Sequence, residues 1–167
     1  MLNVGIVGVT GYAGEELIGI LLGHPEVRIT SLSAKIDSPL AIDKIFPRFS
    51  GRMGLTCALP EISKINASCD LVFLALPHTV SMGLVPKLLK AGKKVIDLSA
   101  DYRLKNTVVY KKFYKVSHKD KANLKKAVYG LPELYRAKIK SARLLANPGC
   151  YPTAAILAIA PLVALDL

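Results

Sequence analysis

The chain has 167 residues, of which 51% are hydrophobic and 21% charged, so it is long and apolar enough for a globular domain, and a disordered chain is excluded. The net charge of +11 comes from one stretch: between Arg103 and Arg143 there are 13 Lys and Arg against two acids, whereas the rest of the chain has 10 of each sign. With Tyr110, Phe113 and Tyr114 interleaved, this basic stretch could be a nucleic-acid surface, but we favour a solvated face with some attraction for anions.

Neither a secreted nor a membrane protein is indicated. Residues 2–23 have no basic n-region and contain Glu15 and Glu16, unlike a signal peptide. The longest uncharged run, residues 151–165, is shorter than the roughly 20 residues that a membrane-spanning helix needs. Three cysteines without Cys-x-x-Cys spacing indicate neither a disulfide framework nor a metal site, so we expect a reducing, cytoplasmic setting.

Strands and helices alternate along the chain. Residues 15–22 have the apolar spacing of a helix, and a second helix-length segment ends at Ala91-Gly92. The polar, basic residues 105–126 show no strict periodicity and are predicted to be a long surface excursion, and the apolar segment from Pro152 is predicted to be a helix whose partner surface lies largely outside this chain. The predicted strands are residues 2–7, 27–33, 70–76, 95–98 and 144–146. This alternation predicts an α/β fold with a doubly wound, mostly parallel sheet covered on both faces.

Glycines recur at every third position, from Gly5 to Gly14, directly after the first strand and at the opening of the first helix. Glycine there permits a tight turn and a close approach of the backbone to a pyrophosphate, which would bind the free amides of the helix N-terminus. The alternative is a turn that merely packs strand on helix. We favour nucleotide binding, with contacts from Gly8, Thr10, Gly11, Tyr12, Ala13 and Gly14.

The end of the second strand bears on the choice of nucleotide. An NAD-preferring site would have an acid there, whereas this strand ends with Ser33 and is followed by Lys35. A hydroxyl and a cation suit the 2′-phosphate of NADP. Asp37 stays open as a ribose ligand, because an error of one or two residues in the strand end would place its carboxylate there.

A Pro-Gly turn precedes Cys150, and Pro152 suits the first turn of a helix. Cys150 is therefore predicted at a helix N-terminus, where the partial positive charge favours the nucleophilic thiolate. The alternative is a buried thiol that caps a core helix. Cys57 and Cys69 lack this setting and are predicted to be small packing residues.

Five motifs make a resemblance specific: GIVGVTGYAGEEL, LALPHTVS, DLSADYRL, VYGLPEL and NPGCYPTA. In this order and spacing, over essentially the whole chain, the sequence resembles the N-acetyl-gamma-glutamyl-phosphate reductase family of the semialdehyde dehydrogenase superfamily, which acts in arginine biosynthesis. The aspartate-semialdehyde dehydrogenases are similar in plan but carry a different residue where this chain has Gly149.

The resemblance implies a Rossmann-like NADP-binding domain in residues 1–146, followed in 147–167 by the catalytic-cysteine turn and the first helix of a substrate domain. It implies reduction of an acyl phosphate by NADPH through a thioester on Cys150, with Asn147 in the turn that presents the thiol. Arg103 matches the position expected to meet the substrate phosphate, although a surface arginine is the alternative. Pro77 and His78 match a loop that borders the cofactor.

The sequence departs from the family pattern in two respects, and other functions stay open. The catalytic histidine of the family lies in the substrate domain, which we expect to be largely absent here; His24 and His118 are predicted on the surface. Lys35 stands where many relatives carry arginine. The rivals are reductases of aspartyl phosphate or of carrier-linked aminoadipyl phosphate, and a non-catalytic nucleotide- or nucleic-acid-binding module. A full-length protein is expected to be a homo-oligomer.

Overall fold

Eight strands form one sheet in the computed structural model, which describes residues 1–166. Their order across the sheet is β3-β4-β2-β1-β5-β6-β8-β7, and each pairing in the described part is parallel except that of β3 with β4. The predicted doubly wound α/β fold is confirmed. The strands are β1 (Leu2–Val7), β2 (Val27–Ser33), β3 (Leu40–Ala41), β4 (Thr56–Ala58), β5 (Leu71–Leu74), β6 (Lys94–Asp97), β7 (Val128–Tyr129) and β8 (Leu144–Ala146).

The helices lie between these strands, and the first one starts earlier than its apolar spacing predicts. Gly11 is extended, with φ −88° and ψ 159°, so the helix begins directly after it, at Tyr12. The helices are α1 (Tyr12–Leu22), α2 (Ile42–Ile45), α3 (Ile62–Ser68), α4 (Ser81–Lys90), α5 (Thr107–Tyr114), α6 (Lys121–Lys126), α7 (Pro132–Ser141) and α8 (Cys150–Ala164), with a 3-10 turn at Pro47–Phe49.

The core has two parts, one on each face of the sheet. Along β5, Val72 and Leu74 belong to one buried cluster, whereas Leu71 and Phe73 pack against the other. Successive side chains of a strand point to opposite faces, so β5 is covered on both sides. This is why the sequence of β5 is a continuous apolar run rather than an alternating one.

The direction in which the sheet grows changes next to β1. The chain first adds β2, β4 and β3 on one side of β1 and then returns to add β5, β6 and β8 on the other side. Because β2, β1, β5, β6 and β8 run parallel, their carboxyl ends meet at one edge of the sheet. Ligands of such sheets bind in the crevice at this edge, at the point where the strand order reverses.

The surface excursion predicted for residues 105–126 is wrong, because this segment contains α5 and α6. Tyr110 on α5 and Leu124 on α6 are fully buried in the core. Each helix is capped by a side chain that the sequence reading overlooked: Asn106 accepts hydrogen bonds at the start of α5, and Asp120 does so at the start of α6.

His118, between these helices, is buried with 3% of its surface exposed, so its predicted place on the surface is also wrong. The rings of Tyr102 and Tyr110 pack edge-on against it, with centroids 5.2 and 5.0 Å away. Its Nδ1 accepts a hydrogen bond from the backbone amide of Asp120. The lysines on either side of His118 are exposed, and their charge led to the wrong prediction that the histidine is exposed as well.

The segment from Pro152 lies in a helix, α8, as predicted, and this helix is largely exposed. None of the 15 residues of α8 is buried, and Ile159, Leu162 and Val163 are 49–63% exposed, so residues 1–166 do not supply the surface that would cover it. Within the same residues, no helix combines the length and the apolar character that crossing a membrane requires.

Candidate active site

The predicted site residues lie at or directly after the carboxyl ends of five parallel strands, in the loops there or in the first turns of the helices that follow. Strand order therefore fixes their order along the edge of the sheet. From one side to the other these loops carry Lys35 after β2, the glycine loop after β1, Pro77 and His78 after β5, Arg103 after β6, and Cys150 after β8. The structure brings all five parts of the predicted site to one edge.

Packing accounts for two glycines of the loop but not for the third. Gly8 has φ 97°, and a Cβ on it would clash with the carbonyl of Ala75. A Cβ on Gly14 would lie 2.6 Å from the Cα of Val9. A Cβ on Gly11 would meet only the Gly8 carbonyl oxygen, at 3.8 Å, which is an ordinary contact. The side of Gly11 is thus open to a ligand.

The N-terminus of α1 is built to receive an anion. No side chain caps it, and the geometry of a helix leaves its first amides, those of Tyr12, Ala13 and Gly14, without an intrahelical acceptor. Thr10, Tyr12 and Ala13 are exposed around them. The acid in the first turn, Glu15, is paired with Arg48 at 2.8 Å, which offsets its charge. The helix dipole then favours a phosphate group at this end.

Ser33, the last residue of β2, stabilises the glycine loop by hydrogen bonds. Its carbonyl accepts hydrogen bonds from the amides of Gly8 at 2.7 Å and Val9 at 3.2 Å, and the residue is only 4% exposed. The contact that the structure gives to Ser33 is therefore with the loop. Lys35 and Asp37 are both exposed beyond the strand end, at the edge where a ribose would lie.

The loop after β5 is held by a carboxylate that the sequence reading did not single out. Thr79 has φ 75°, and its amide donates to Oδ1 of Asp101 at 2.6 Å. The ring of His78, beside it, lies 5.4 Å from that of Tyr114. Asp101 stands within the DLSADYRL motif, but its acceptor role depends on contacts with a loop 22 residues away along the chain.

Arg103 connects the loop after β6 to the cysteine turn. Its Nε donates to the carbonyl of Asn147 at 2.8 Å and its Nη2 to that of Leu98 at 2.7 Å. Its Nη1 would lie 3.0 Å from a Cβ on Gly149, so a larger residue there would press on the guanidinium. Nη1 and the second hydrogen of Nη2 are left for an anionic group of a substrate.

Cys150 is the first residue of α8, as predicted, and its side chain is exposed. The turn before it is held by hydrogen bonds from Asn147 N to the Asp97 carbonyl at 2.8 Å and from Thr153 Oγ1 to the Gly149 carbonyl at 2.9 Å. An exposed thiol contradicts the alternative of a buried helix cap.

The other two cysteines are packing residues. Cys57 and Cys69 are buried, as predicted. Burial raises the pKa of the Cys57 thiol, which keeps it protonated. Of the three thiols, that of Cys150 is therefore the one placed to react.

A cavity of about 700 Å³ lies at the opposite edge, beside the first residues of β7 and β8. Lys90, Lys126, Lys138 and Arg143 line it, yet the three lysines lie in the last turns of α4, α6 and α7. Arg143 donates to the Leu89 carbonyl of α4. Cations at helix C-termini compensate free carbonyls, so helix ends account for this charge without a ligand.

The aromatic residues of the basic stretch do not form a stacking surface. Tyr110 is fully buried, and Tyr114 stacks on it with ring centroids 4.8 Å apart. Phe113, 67% exposed, is the one of the three that is mostly open to solvent. Base stacking needs several exposed rings along a basic groove, so the arrangement favours the solvated face over a nucleic-acid surface.

A glycine loop at the point where the strand order reverses, an uncapped α1 and a parallel sheet covered on both faces define a dinucleotide-binding domain of the Rossmann type. The model of the semialdehyde dehydrogenase NAD-binding domain matches residues 3–142. The chain belongs to this family.

Sequence and fold comparisons with known proteins support this assignment. N-acetyl-gamma-glutamyl-phosphate reductase of Desulfotalea psychrophila is 48% identical over 98% of this chain, and that of Herminiimonas arsenicoxydans is 47% identical over 100% of it. These alignments cover 47% and 48% of the two relatives, so the chain spans about half their length. Aspartate semialdehyde dehydrogenase from Candida albicans, solved with NADP, has the same fold, with a TM-score of 0.68 and 18% identity over 98% of this chain and 47% of that one.

Proposed function

We propose that this chain is the cofactor-binding and thioester-forming part of a reductase that converts N-acetyl-γ-glutamyl phosphate to N-acetylglutamate semialdehyde with NADPH. The observation that carries the proposal is the exposed Cys150 at the N-terminus of α8, on the same sheet edge as the glycine loop. The names of the two reductases that are 47–48% identical support the choice of substrate over aspartyl or aminoadipyl phosphate.

The proposed chemistry begins at the sulfur. The Cys150 thiolate attacks the acyl carbon, the bond from that carbon to the phosphate oxygen breaks, and phosphate leaves with the electron pair. When bound, NADPH would supply a hydride to the acyl carbon of the thioester. The aldehyde forms as the carbon–sulfur bond breaks, and Cys150 leaves with the electron pair as thiolate. Arg103, tied to the Asn147 carbonyl beside the cysteine turn, would orient the departing phosphate with its free N–H groups.

Preference for NADP over NAD is part of the proposal. Lys35 is exposed beyond β2 and would pair with a 2′-phosphate, whereas Asp37 would favour the free ribose hydroxyl. The free state of the three cysteines supports the proposed reducing, cytoplasmic setting. Homo-oligomeric assembly of a full-length protein is also part of the proposal.

Competitive alkylation tests the proposal. Iodoacetamide near neutral pH should label Cys150 at least about tenfold faster than Cys57 or Cys69, because only the first is exposed. NADPH should slow the labelling of Cys150. In its absence N-acetyl-γ-glutamyl phosphate should leave a hydroxylamine-sensitive acyl adduct, detected by mass spectrometry, on this residue alone.

Two variants supply the controls. Cys150→Ser should abolish the acyl adduct, whereas Cys57→Ser should retain it. Labelling of Cys57 or Cys69 as fast as Cys150, or an adduct that persists in Cys150→Ser, would contradict the proposed function.

A further inference from the structure

Asp101 is a buried carboxylate to which the proposed chemistry gives no role. It is 0% exposed and lies in the loop after β6, two residues before Arg103. Its Oδ1 accepts from Thr79 N at 2.6 Å and from Tyr110 Oη at 2.7 Å, and its Oδ2 accepts from Met82 N at 3.0 Å. Three donors compensate a buried negative charge without a cation.

Two of these donors are amides of the segment that leads from the cofactor loop into α4. Thr79 directly follows Pro77 and His78, and its φ of 75° is unfavourable for a β-branched residue. The hydrogen bond to Asp101 is the contact that holds this conformation. The second amide, that of Met82, lies in the first turn of α4, so the carboxylate fixes both the loop and the helix start.

A second connection runs from Asp101 to the same loop through aromatic rings. Tyr110, which donates to Asp101, stacks on Tyr114 with centroids 4.8 Å apart, and Tyr114 lies 5.4 Å from the His78 ring. Burial, and then the hydrogen bond to Asp101, raise the pKa of Tyr110, so it stays protonated and donates. Asp101 thus supports the loop in two ways, through direct hydrogen bonds to its backbone and through the row of aromatic rings.

The carboxylate can act in this way because its own backbone is fixed to the sheet. Ser99 Oγ accepts from the amide of Asp101 at 3.1 Å and donates to Oδ2 of Asp97, the last residue of β6, at 2.8 Å. Asp97, Ser99 and Asp101 are all buried, and burial raises the pKa of Asp97. The side chain of Asp101 is therefore held in place relative to the sheet edge on which the cofactor would lie.

We propose that Asp101 is a positioning residue that holds loop 77–79 in the conformation that binds the nicotinamide cofactor. It touches neither cofactor nor substrate and acts through Thr79 and Met82. The proposal rests on the proposed function, because it takes NADPH as the ligand that this loop borders.

The test is the dissociation constant of NADPH, from fluorescence titration of the whole 167-residue chain. Asp101→Ala should bind NADPH roughly tenfold more weakly, the factor that corresponds to about one charge-assisted hydrogen bond. Adding Thr79→Gly to Asp101→Ala should recover roughly fivefold, because glycine adopts the left-handed conformation without the penalty of a Cβ. A merely structural role predicts no such recovery.

Asp120→Ala is the matched control. Like Asp101, Asp120 accepts from a tyrosine hydroxyl, that of Tyr102 at 2.8 Å, and from a helix amide, that of Asn123 at 3.3 Å, but it serves α6 rather than the cofactor loop. This variant should lower the unfolding temperature and leave the dissociation constant of NADPH unchanged. Equal loss of affinity in both alanine variants would overturn the positioning role.

The outcomes separate the two proposals. If the unaltered chain does not bind NADPH, the proposed function fails and the role of Asp101 fails with it. If it binds and Asp101→Ala binds equally well, only the positioning role is refuted. Should Asp101→Ala not fold by circular dichroism, Asp101→Asn decides, since it keeps one acceptor oxygen but sets an amide nitrogen against one of the donors; unchanged affinity in that variant refutes the role.

Discussion

Alanine should destabilise this domain at Gly8 but not at Gly11. Gly8 has φ 97°, a conformation that costs a residue with a Cβ about 1–2 kcal/mol. The new Cβ would also force the Ala75 carbonyl to move. We expect a total loss of about 3 kcal/mol, which for a domain of this size lowers Tm by roughly 6–12 °C.

Gly11 offers the contrast. Its φ of −88° is open to any residue, and the nearest atom to an added Cβ is 3.8 Å away. Gly11→Ala should therefore leave stability within about 0.5 kcal/mol of that of the unaltered chain, because the restriction that alanine puts on the unfolded chain is offset by its weaker preference for a helix N-cap. The same methyl group would occupy the side that faces the pyrophosphate, so NADPH should bind at least about tenfold more weakly.

Thermal unfolding and NADPH titration of the two variants decide the matter. Gly8→Ala should lose stability first, with its loss of affinity following from a displaced loop. Gly11→Ala should lose affinity alone. If Gly11→Ala lowered Tm as much as Gly8→Ala, or bound NADPH as tightly as the unaltered chain, the assignment of Gly11 to the ligand side would be refuted.

Three further predictions concern Lys35, His118 and turnover. NADPH should bind more tightly than NADH, and Lys35→Ala should remove most of that preference; equal affinities would instead favour Asp37 as the ribose ligand. Burial lowers the pKa of His118, so the unfolded chain takes up the proton first, and stability should be lost as pH falls below about 6.5. His118→Gln should flatten this slope in urea unfolding. Phosphate-dependent reduction of NADP with the semialdehyde should proceed at under about 1% of the rate of a full-length relative, because a positioned acid contributes roughly 10²–10⁴ and the cysteine turn carries no histidine; a comparable rate would show that the chain holds every catalytic group.

The sequence predicted the central strands because their signals are local. The bounds of β1, β2 and β8 agree with the predicted ranges to the residue. Short runs rich in apolar and β-branched residues identify these strands, and Gly8 ends β1 while the turn at Asn147 ends β8. The short strands at and next to the edges of the sheet were missed, since the two residues of β3 and β7 and the three of β4 are too few to show a period.

The site residues, like the strands, were predicted where the signal is local and missed where it is not. Motifs at strand ends predicted the glycine loop and the position of Cys150, because each depends on one turn and the helix after it. Contacts between different loops could not be predicted from the sequence. Asp101 acts on Thr79 across two different crossovers, and His118 is buried by tyrosines that belong to other segments of the chain.

The order of the strands connects the loop held by Asp101 with the chemistry proposed for Cys150. From β1 to β8 there are three strand spacings, with β5 and β6 between, which amounts to about 14 Å. On the proposed function, a dinucleotide with its pyrophosphate on the N-terminus of α1 would have to cross the ends of β5 and β6 to bring its reactive ring to the sulfur. Loop 77–79 follows β5 and would border that path. A shift in this loop would move the reacting carbon rather than the anchored phosphates, and misplacement of about 1 Å can cost on the order of 10² in rate. On the proposed function, the hydrogen bonds from Thr79 and Met82 to Asp101 thus lie where a small displacement would slow hydride transfer.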